Sequence, residues 1–172
     1  DSENNPHFAY VVNEDLKYGF YNGVSWSTRT LDTYGATIDD TSIAVDPAGR
    51  AHMSYHYFSD PSDSGLRYAR VDSSTFSIST IYFDSTNSGV GVESSLALDS
   101  YSRPHLVYSD GRYSYFNGSG WVTETPNSLY EDPFMRLGSD DQPRVVSNLG
   151  FLSLGWLMYS QKNNSVWSGT YV

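Results

Sequence analysis

Three of the four histidines share one local pattern, in which a proline or alanine precedes the imidazole and a tyrosine follows three positions later. They are His7, His52 and His105. Imidazole can act as a general base or as a ligand of Zn²⁺, but a metal site would need the three rings to converge. Because the pattern recurs in successive repeats of the chain, we expect the rings to lie apart, each buried and hydrogen-bonded. The fourth, His56, has no counterpart, and we interpret it as a strand-end residue and not as a catalyst.

Four pairs of adjacent acidic residues are the other candidates for metal chemistry. They are Glu14-Asp15, Asp39-Asp40, Glu131-Asp132 and Asp140-Asp141. Loop carboxylates can hold Ca²⁺ when carbonyl oxygens complete the shell, but calcium loops alternate their ligands along the chain and these pairs do not. We therefore interpret them as solvated loop charges and predict no metal site and no cofactor.

A glycoside hydrolase of the sialidase type is the main alternative to a binding protein. Such an enzyme needs clustered arginines for a substrate carboxylate, a tyrosine–glutamate nucleophile pair and an acid. Arg67 and Arg112 instead recur at one repeat position, and the S-D-G-R sequence at residues 109–112, similar to part of an aspartate box, is a turn motif with a structural role. We assign no catalytic residue and predict that the chain is not an enzyme. An inactive fragment of a larger repeat protein is a further alternative.

Aromatic residues make up 16% of the chain, and tyrosine alone occurs 15 times. Exposed tyrosine and tryptophan can stack on sugar rings, but Tyr18, Tyr68 and Tyr113 recur at one repeat position, which is typical of packing between sheets. The segment 126–142 is longer than the corresponding links elsewhere and breaks the repeat with aromatic residues among acids. It is the predicted place for a contact with a ligand or a second subunit, although the sequence leaves the binding residues themselves unknown.

The composition excludes several classes of partner. Ten Lys and Arg against 20 Asp and Glu give a net charge of -10, which disfavours nucleic acid and anionic membranes. The longest apolar stretch, near residues 152–158, is too short and too interrupted to cross a bilayer, so we expect a soluble chain. No leader precedes Asp1, which leaves export open and the localisation unknown. The absence of cysteine excludes disulfides, thiolate metal sites and thiol nucleophiles.

An alignment of the chain with itself indicates the elements that position these residues. The sequence S-I-A-V-D at residues 42–46 recurs as S-L-A-L-D at 95–99, and we predict strand A of a repeat there. Strand B contains the three histidine motifs. Strand C contains a basic residue followed by tyrosine and a small residue. Strand D follows Asn-Gly, a dipeptide suited to tight hairpins, and begins at Trp26 and Trp121, with Phe76 in their place in the middle repeat.

A meander of four short strands that recurs at this period is what one blade of a β-propeller looks like. The order S-[IL]-A-[VL]-D, P-H-x-x-Y, [KR]-Y and N-G-x-x-W resembles a bacterial and archaeal β-propeller repeat family over nearly the whole chain. The resemblance implies an all-β fold of about 3.5 four-stranded antiparallel blades. It implies no one reaction or ligand, since that family is functionally heterogeneous.

The predicted boundaries are those of one propeller-type repeat domain over residues 1–172. We expect a partial blade at 1–32, whole blades at 41–82 and 93–125, and a second partial blade at 143–172, with strand A of the latter at residues 143–148. The phase of the ends suggests that two chains complete a ring of about seven blades as a homodimer. A four-bladed monomer and a piece of a longer propeller are the open alternatives.

The sequence thus predicts a non-enzymatic binding scaffold that associates with itself. Carbohydrate and protein are the candidate ligands, recognised through loops at one face of the blades.

Overall fold

The computed structural model describes residues 1–33, 37–60, 62–84, 92–109, 111–126, 129, 131–149 and 156–172. Fifteen β-strands and no helix lie within these residues. Accordingly, no helix in the described part of the chain is long and apolar enough to span a membrane. The chain divides into two compact units, Asp1–Ser88 and Gly89–Val172. Each unit contains two antiparallel sheets, and the prediction of an all-β chain of blade-like repeats is confirmed.

The first unit consists of a three-stranded sheet followed by a four-stranded sheet, each with its strands in sequence order. The strands of the first sheet are β1 (His7–Val12), β2 (Asp15–Tyr21) and β3 (Trp26–Asp32). The strands of the second sheet are β4 (Thr37–Val45), β5 (Ala51–Asp60), β6 (Asp63–Val71) and β7 (Phe76–Asp84). The predicted B, C and D strands of the first repeat and all four strands of the second are therefore present.

The second unit contains two four-stranded sheets. The third sheet of the chain consists of β8 (Ser95–Leu98), β9 (Pro104–Tyr108), β10 (Arg112–Phe116) and β11 (Trp121–Glu124). The fourth consists of β12 (Glu131–Leu137), β13 (Pro143–Leu149), β14 (Trp156–Asn163) and β15 (Val166–Tyr171). Both are antiparallel meanders with neighbouring strands paired in chain order.

The aspartate that closes strand A builds the turn into strand B. Asp46 Oδ1 accepts hydrogen bonds from the backbone nitrogens of Ala48 and Arg50, both at 2.9 Å, and its Oδ2 accepts one from Arg50 Nε at 2.6 Å. Asp99 repeats this arrangement with Tyr101 and Arg103. A short polar side chain that bonds its own backbone two residues on is a strong turn former. The aspartate of the repeat is therefore a structural residue.

In the first and third sheets the hairpin between strands C and D depends on Asn-Gly. Asn22 Oδ1 accepts hydrogen bonds from the backbone nitrogens of Val24 and Ser25, and Gly23 has a φ of 87°. Asn117 and Gly118 form the same turn in the third sheet, with a φ of 99° at the glycine. A positive φ is unstrained only where a Cβ is absent or small polar groups compensate. The turn prediction from these dipeptides is confirmed.

Apolar side chains pack between the two sheets of each unit. In the first unit Leu16 and Tyr18 of the first sheet pack with Met53 and Tyr55 of the second. In the second unit Val107 and Tyr113 of the third sheet pack with Leu129, Met135 and Val145. Because strand side chains alternate between the two faces of a sheet, each sheet of a pair directs one face toward the other.

The last repeat differs from the expectation by one strand. Residues 143–148, expected as strand A, belong to β13, which pairs with both β12 and β14 and so holds the strand B position. Strand A is β12, where Phe134 and Gly138 replace the first serine and the aspartate of the S-[IL]-A-[VL]-D pattern. The expected strand B includes residues 151–155, which lie outside the described residues. The last repeat therefore begins at Glu131, and the chain has fifteen described strands where we expected fourteen.

Strands β4 and β12, each at an edge of its sheet, contain equivalent bulges. The β4–β5 register shifts between Asp39 and Ser42, and the β12–β13 register shifts between Glu131 and Phe134. Inside each shift an aspartate has a φ of 48°, Asp40 in β4 and Asp132 in β12. A residue in this left-handed conformation locally disrupts the ladder and bends the strand.

Candidate functional site

Each recurring histidine is hydrogen-bonded within its own repeat, which confirms the structural interpretation. The distance from imidazole Nδ1 to tyrosine Oη is 2.6 Å in all three pairs: His7 with Tyr18, His52 with Tyr68, and His105 with Tyr113. The other ring nitrogen, Nε2, faces a carboxylate oxygen of the aspartate six positions earlier. The distance is 3.2 Å from His7 to Asp1 and 3.5 Å in the pairs of the other two repeats, which contain Asp46 and Asp99. A carboxylate can only accept, so Nε2 carries the proton and the tyrosine donates to Nδ1.

Burial and hydrogen bonds together determine the charge states of these histidines, tyrosines and aspartates. It lowers the pKa of His52 and of His105 below the usual value, against the opposing effect of the neighbouring aspartates. Burial also acts to raise the pKa of Asp46, but hydrogen bonds from Arg50 outweigh it and hold that pKa below its usual value. Burial raises the pKa of Tyr18 to about 12, although the charge of Arg29 opposes the shift. The imidazoles are therefore neutral and the aspartates ionised near neutral pH.

His56 lies inside β5 and not at a strand end, as we had expected. It pairs with Asp39 in the β4–β5 register, and its Nδ1 is 2.8 Å from Asp39 Oδ1. The imidazole is buried, whereas the Asp39 carboxylate is half exposed. The arrangement ties the edge strand β4 to its neighbour next to the bulge.

A tyrosine, a carboxylate and an arginine meet between the sheets of the first unit. Tyr55 Oη donates to Asp32 Oδ2 at 2.6 Å, and Arg67 Nη1 donates to the same oxygen at 3.0 Å. The guanidinium also lies over the ring of Tyr57, with 4.0 Å between its carbon and the ring centroid. Burial, together with Asp32, raises the pKa of Tyr55, which stabilises the neutral phenol. A tyrosine nucleophile needs the opposite shift, so this trio joins the two sheets and is not an activated nucleophile.

Two cavities of about 280 Å³ occur at equivalent places, one in each unit. The first pocket lies between the first and second sheets. His7, Tyr18, Phe20 and Arg29 line one side, and Val71 is among the residues of the other. The second pocket lies between the third and fourth sheets. Its first side contains His105, Tyr113 and Tyr115, and its second side contains Asp141 and Lys162.

The strand registers establish the equivalence of the two aromatic walls. Phe20 pairs with His7 in the β1–β2 register, as Tyr115 pairs with His105 in the β9–β10 register. The centroids of Phe20 and Tyr18 are 5.5 Å apart at an interplanar angle of 17°, and those of Tyr115 and Tyr113 are 5.5 Å apart at 26°. The rings at this position are half-buried, so part of each remains accessible from its pocket.

The turn asparagines border these walls. Asn22 lines the first pocket and Asn117 the second, and both are exposed. Each pocket therefore combines aromatic faces, which suit apolar C–H surface, with amide, carboxylate and cationic groups that can form hydrogen bonds.

The acidic pairs do not form a metal site among the described residues, where no group of three or more His, Asp or Glu could hold an ion. Two pairs lie in strands and not in loops, Asp39-Asp40 in β4 and Glu131-Asp132 in β12. Asp15 begins β2 and pairs with Lys17, while Asp140 forms an ion pair with Arg144. Asp141 accepts a hydrogen bond from the backbone nitrogen of Ser100.

The segment 126–142 contributes in two ways. Met135 is fully buried in the core of the second unit, while Phe134 is exposed with the guanidinium of Arg136 over its ring at 4.8 Å. Asp141 lines the second pocket. The segment in which we predicted a contact with a ligand or a second subunit therefore contributes a residue to a pocket wall. Tyr130 and residues 127–128 lie outside the described residues.

Sequence reasoning missed the pockets. Tyr18 and Tyr113 were identified as packing residues, but Phe20 and Tyr115, two positions further along strand C, were not identified. The signal was present: both follow the repeat tyrosine by two and therefore share its face of the sheet. Lys162 carried no such signal, because the register of the last repeat was displaced.

No protein-family model and no curated protein sequence matches the chain. Among solved structures, the chain is similar to a fucose lectin from Kordia zhangzhouensis, whose structure was determined in complex with methyl-fucoside. The sequence identity is 16% and the TM-score is 0.49, over 76% of this chain and 96% of the lectin chain.

Proposed function

We propose that this chain is a non-enzymatic binding module that holds saccharides in its two equivalent pockets. The observation that carries the proposal is the repetition of one half-buried aromatic wall, bordered by polar groups, between the sheets of both units. Sugars present a C–H face that stacks on aromatic rings and a rim of hydroxyls that needs donors and acceptors. A volume of about 280 Å³ suits a single sugar ring better than a long glycan.

Titration with methyl glycosides tests the proposal. We expect isothermal titration calorimetry to give two weak sites per chain, and Phe20→Ala or Tyr115→Ala to weaken one of them and leave the other unchanged. Loss of one stacking contact, about 0.5 to 1.5 kcal/mol, corresponds to a weakening of roughly two- to tenfold at the altered pocket.

The third sheet offers a matched control. Phe116 neighbours Tyr115 on β10 but directs its side chain to the opposite face, where it contacts Trp121. Phe116→Ala should leave both sites intact. An equal loss in Phe116→Ala and Tyr115→Ala, or no binding of any methyl glycoside by the wild type, would contradict the proposal.

We also propose that the chain associates with a second copy of itself through the outward face of the first sheet. Phe8 and Tyr10 hold the positions on β1 that Met53 and Tyr55 hold on β5, and the latter two are fully buried against a neighbouring sheet. Phe8 instead lies at the surface in contact with Trp26, which is 57% exposed. Exposed apolar faces of this kind are a feature of protein interfaces.

The fourth sheet of the second copy is the proposed occupant. Val146 on β13 holds the position of Val107 on β9, which is fully buried against the next sheet, yet Val146 is only half-buried. Inside each unit, the face equivalent to that of Val146 on one sheet packs against the face equivalent to that of Phe8 on the next sheet. The outward faces of the fourth and first sheets are therefore suited to pack against each other.

Light scattering tests the association. We expect a mass near twice 19.2 kDa for the wild type and near 19.2 kDa for Trp26→Ser. Phe76→Ser is the matched control, because Phe76 holds the same repeat position in the second sheet and is also exposed. A wild-type mass of 19.2 kDa at tens of micromolar concentration would rule the association out.

A further inference from the structure

The strand residue paired with the repeat tyrosine, which lines each pocket, has opposite charge in the first and third sheets. Arg29 on β3 pairs with Tyr18 in the β2–β3 register, and Glu124 on β11 pairs with Tyr113 in the β10–β11 register. The two positions are therefore equivalent. The aromatic walls of the two pockets are alike, and the charge at this position is what differs.

In the second pocket the charges neutralise each other. Lys162 Nζ donates to both carboxylate oxygens of Glu124, at 2.6 and 2.8 Å, and Trp167 Nε1 donates to Oε2 at 2.9 Å. The ammonium lies 5.3 Å from the ring centroids of both Tyr113 and Tyr115. A paired cation of this kind has little residual attraction for an anionic ligand.

In the first pocket the guanidinium of Arg29 is unmatched. The position that Lys162 has on β14 of the fourth sheet is occupied by Val71 on β6 of the second sheet. Each follows the residue, Gln161 or Arg70, that pairs with the equivalent position of strand B. Arg29 is half-buried, lines the pocket, and forms no hydrogen bond or ion pair with any described residue. Its guanidinium therefore presents donors to the pocket with no acceptor from the residues that the structure describes.

The three carboxylates among the residues that line the first pocket, Asp1, Glu3 and Asp72, already have partners. Glu3 Oε2 accepts a hydrogen bond from Asn5 Nδ2 at 3.3 Å. Asp1 accepts hydrogen bonds from the backbone nitrogens of Glu3 and Asn5 and faces His7 Nε2. Asp72 forms an ion pair with Arg70 at 3.2 Å. Among the described charged side chains that line this pocket, the one without a partner is thus Arg29. A planar guanidinium is best satisfied by a bidentate carboxylate.

We propose that the first pocket selects a saccharide that bears a carboxylate, of the hexuronic acid class, and that Arg29 determines this preference. The carboxylate binds the Arg29 guanidinium while the sugar ring lies on Phe20. The second pocket has no such preference and takes neutral sugars. This inference rests on the proposed saccharide-binding function.

The experiment compares two probes that differ only in the group at C5, methyl β-D-glucuronide and methyl β-D-glucoside. Nuclear magnetic resonance separates the pockets, since Gly49 lines the first, and the Trp167 indole shares the carboxylate of Glu124 with Lys162, which lines the second. We expect the glucuronide to bind the first pocket about tenfold more tightly than the glucoside at low salt. The difference should shrink as salt screens the charge.

Three variants assign the preference. Arg29→Gln should remove it while keeping weak binding of the glucoside. Arg29→Glu combined with Val71→Lys transplants the Glu124–Lys162 pair and should also make the first pocket indifferent to the carboxylate. Arg136→Gln, which removes an arginine from a strand edge in the other unit, should leave the preference unchanged.

The outcomes separate the two proposals. Equal binding of both probes at the first pocket, or a preference that survives Arg29→Gln, overturns the inference and leaves saccharide binding intact. If neither probe perturbs Gly49 or Trp167, the proposed function itself is wrong, and the inference with it.

Discussion

Replacing Asp32 with alanine is expected to lower the free energy of unfolding by about 3 to 5 kcal/mol. The carboxylate accepts hydrogen bonds from Tyr55 and Arg67, and the side chains of Asp32 and Arg67 are only 9% and 12% exposed. Its loss leaves a buried guanidinium without its counter-ion and a buried phenol without its acceptor. Urea unfolding followed by tryptophan fluorescence measures the change.

The pair of Arg70 and Asp72 provides the matched control. Its donor-to-acceptor distance is 3.2 Å, but the two side chains are 43% and 35% exposed. Solvent screens such a pair, so Asp72→Ala should change the free energy of unfolding by about 1 kcal/mol or less. The double variant Asp32→Ala with Arg67→Met should recover part of the loss, since it also removes the charge that Asp32 neutralises. Similar small losses in Asp32→Ala and Asp72→Ala would show that the network contributes little.

Acidification is expected to produce the second large effect, through His52 and His105. Burial lowers their pKa in the folded chain below the usual value near 6.5. Between the two pKa values the unfolded chain binds more protons than the folded chain, so stability falls as the pH drops below about 6.5. Each histidine contributes at most about 1.4 kcal/mol per pH unit in that window.

The turn aspartates act in a lower window. The pKa values of Asp46 and Asp99 are held below their usual value in the folded chain, despite burial, by hydrogen bonds from the following arginines. Their contribution is complete above about pH 4 and is lost as the pH falls through the depressed pKa values. Urea midpoints measured from pH 7.5 to 3 should therefore decline in two stages. The double variant His52→Gln with His105→Gln should lose the upper stage only, and an unchanged profile in that variant would contradict the assignment.

The strands of the first three repeats could be predicted because their motifs have repeated physical causes. Asp46 and Asp99 bond the same turn, and Asn22 and Asn117 bond the same hairpin, so selection for one geometry preserves one residue type. The last repeat could not be aligned by those motifs. Its strand A contains Phe134 and ends at Leu137, Gly138 follows in place of the aspartate, and the turn is bonded through Asp140 and Arg144.

The pockets could be predicted only in part. The repeat tyrosines indicated which face of strand C is buried, which also places Phe20 and Tyr115. The opposite walls come from another sheet, and the pairing of Glu124 with Lys162 joins residues that no local pattern relates. The two charged residues of this pair lie on different sheets. Alignment of one strand with its repeats therefore does not show which charge will face it.

The bulges of β4 and β12 affect how copies of this chain can meet. An unpaired strand edge is a template for adding strands of another molecule, and long flat edges lead to fibrils. The left-handed aspartates Asp40 and Asp132 interrupt that template and place a charge on it. A chain rich in tyrosine and short strands is thereby guarded against cross-β growth at these edges, which leaves the faces of its sheets for the association proposed above.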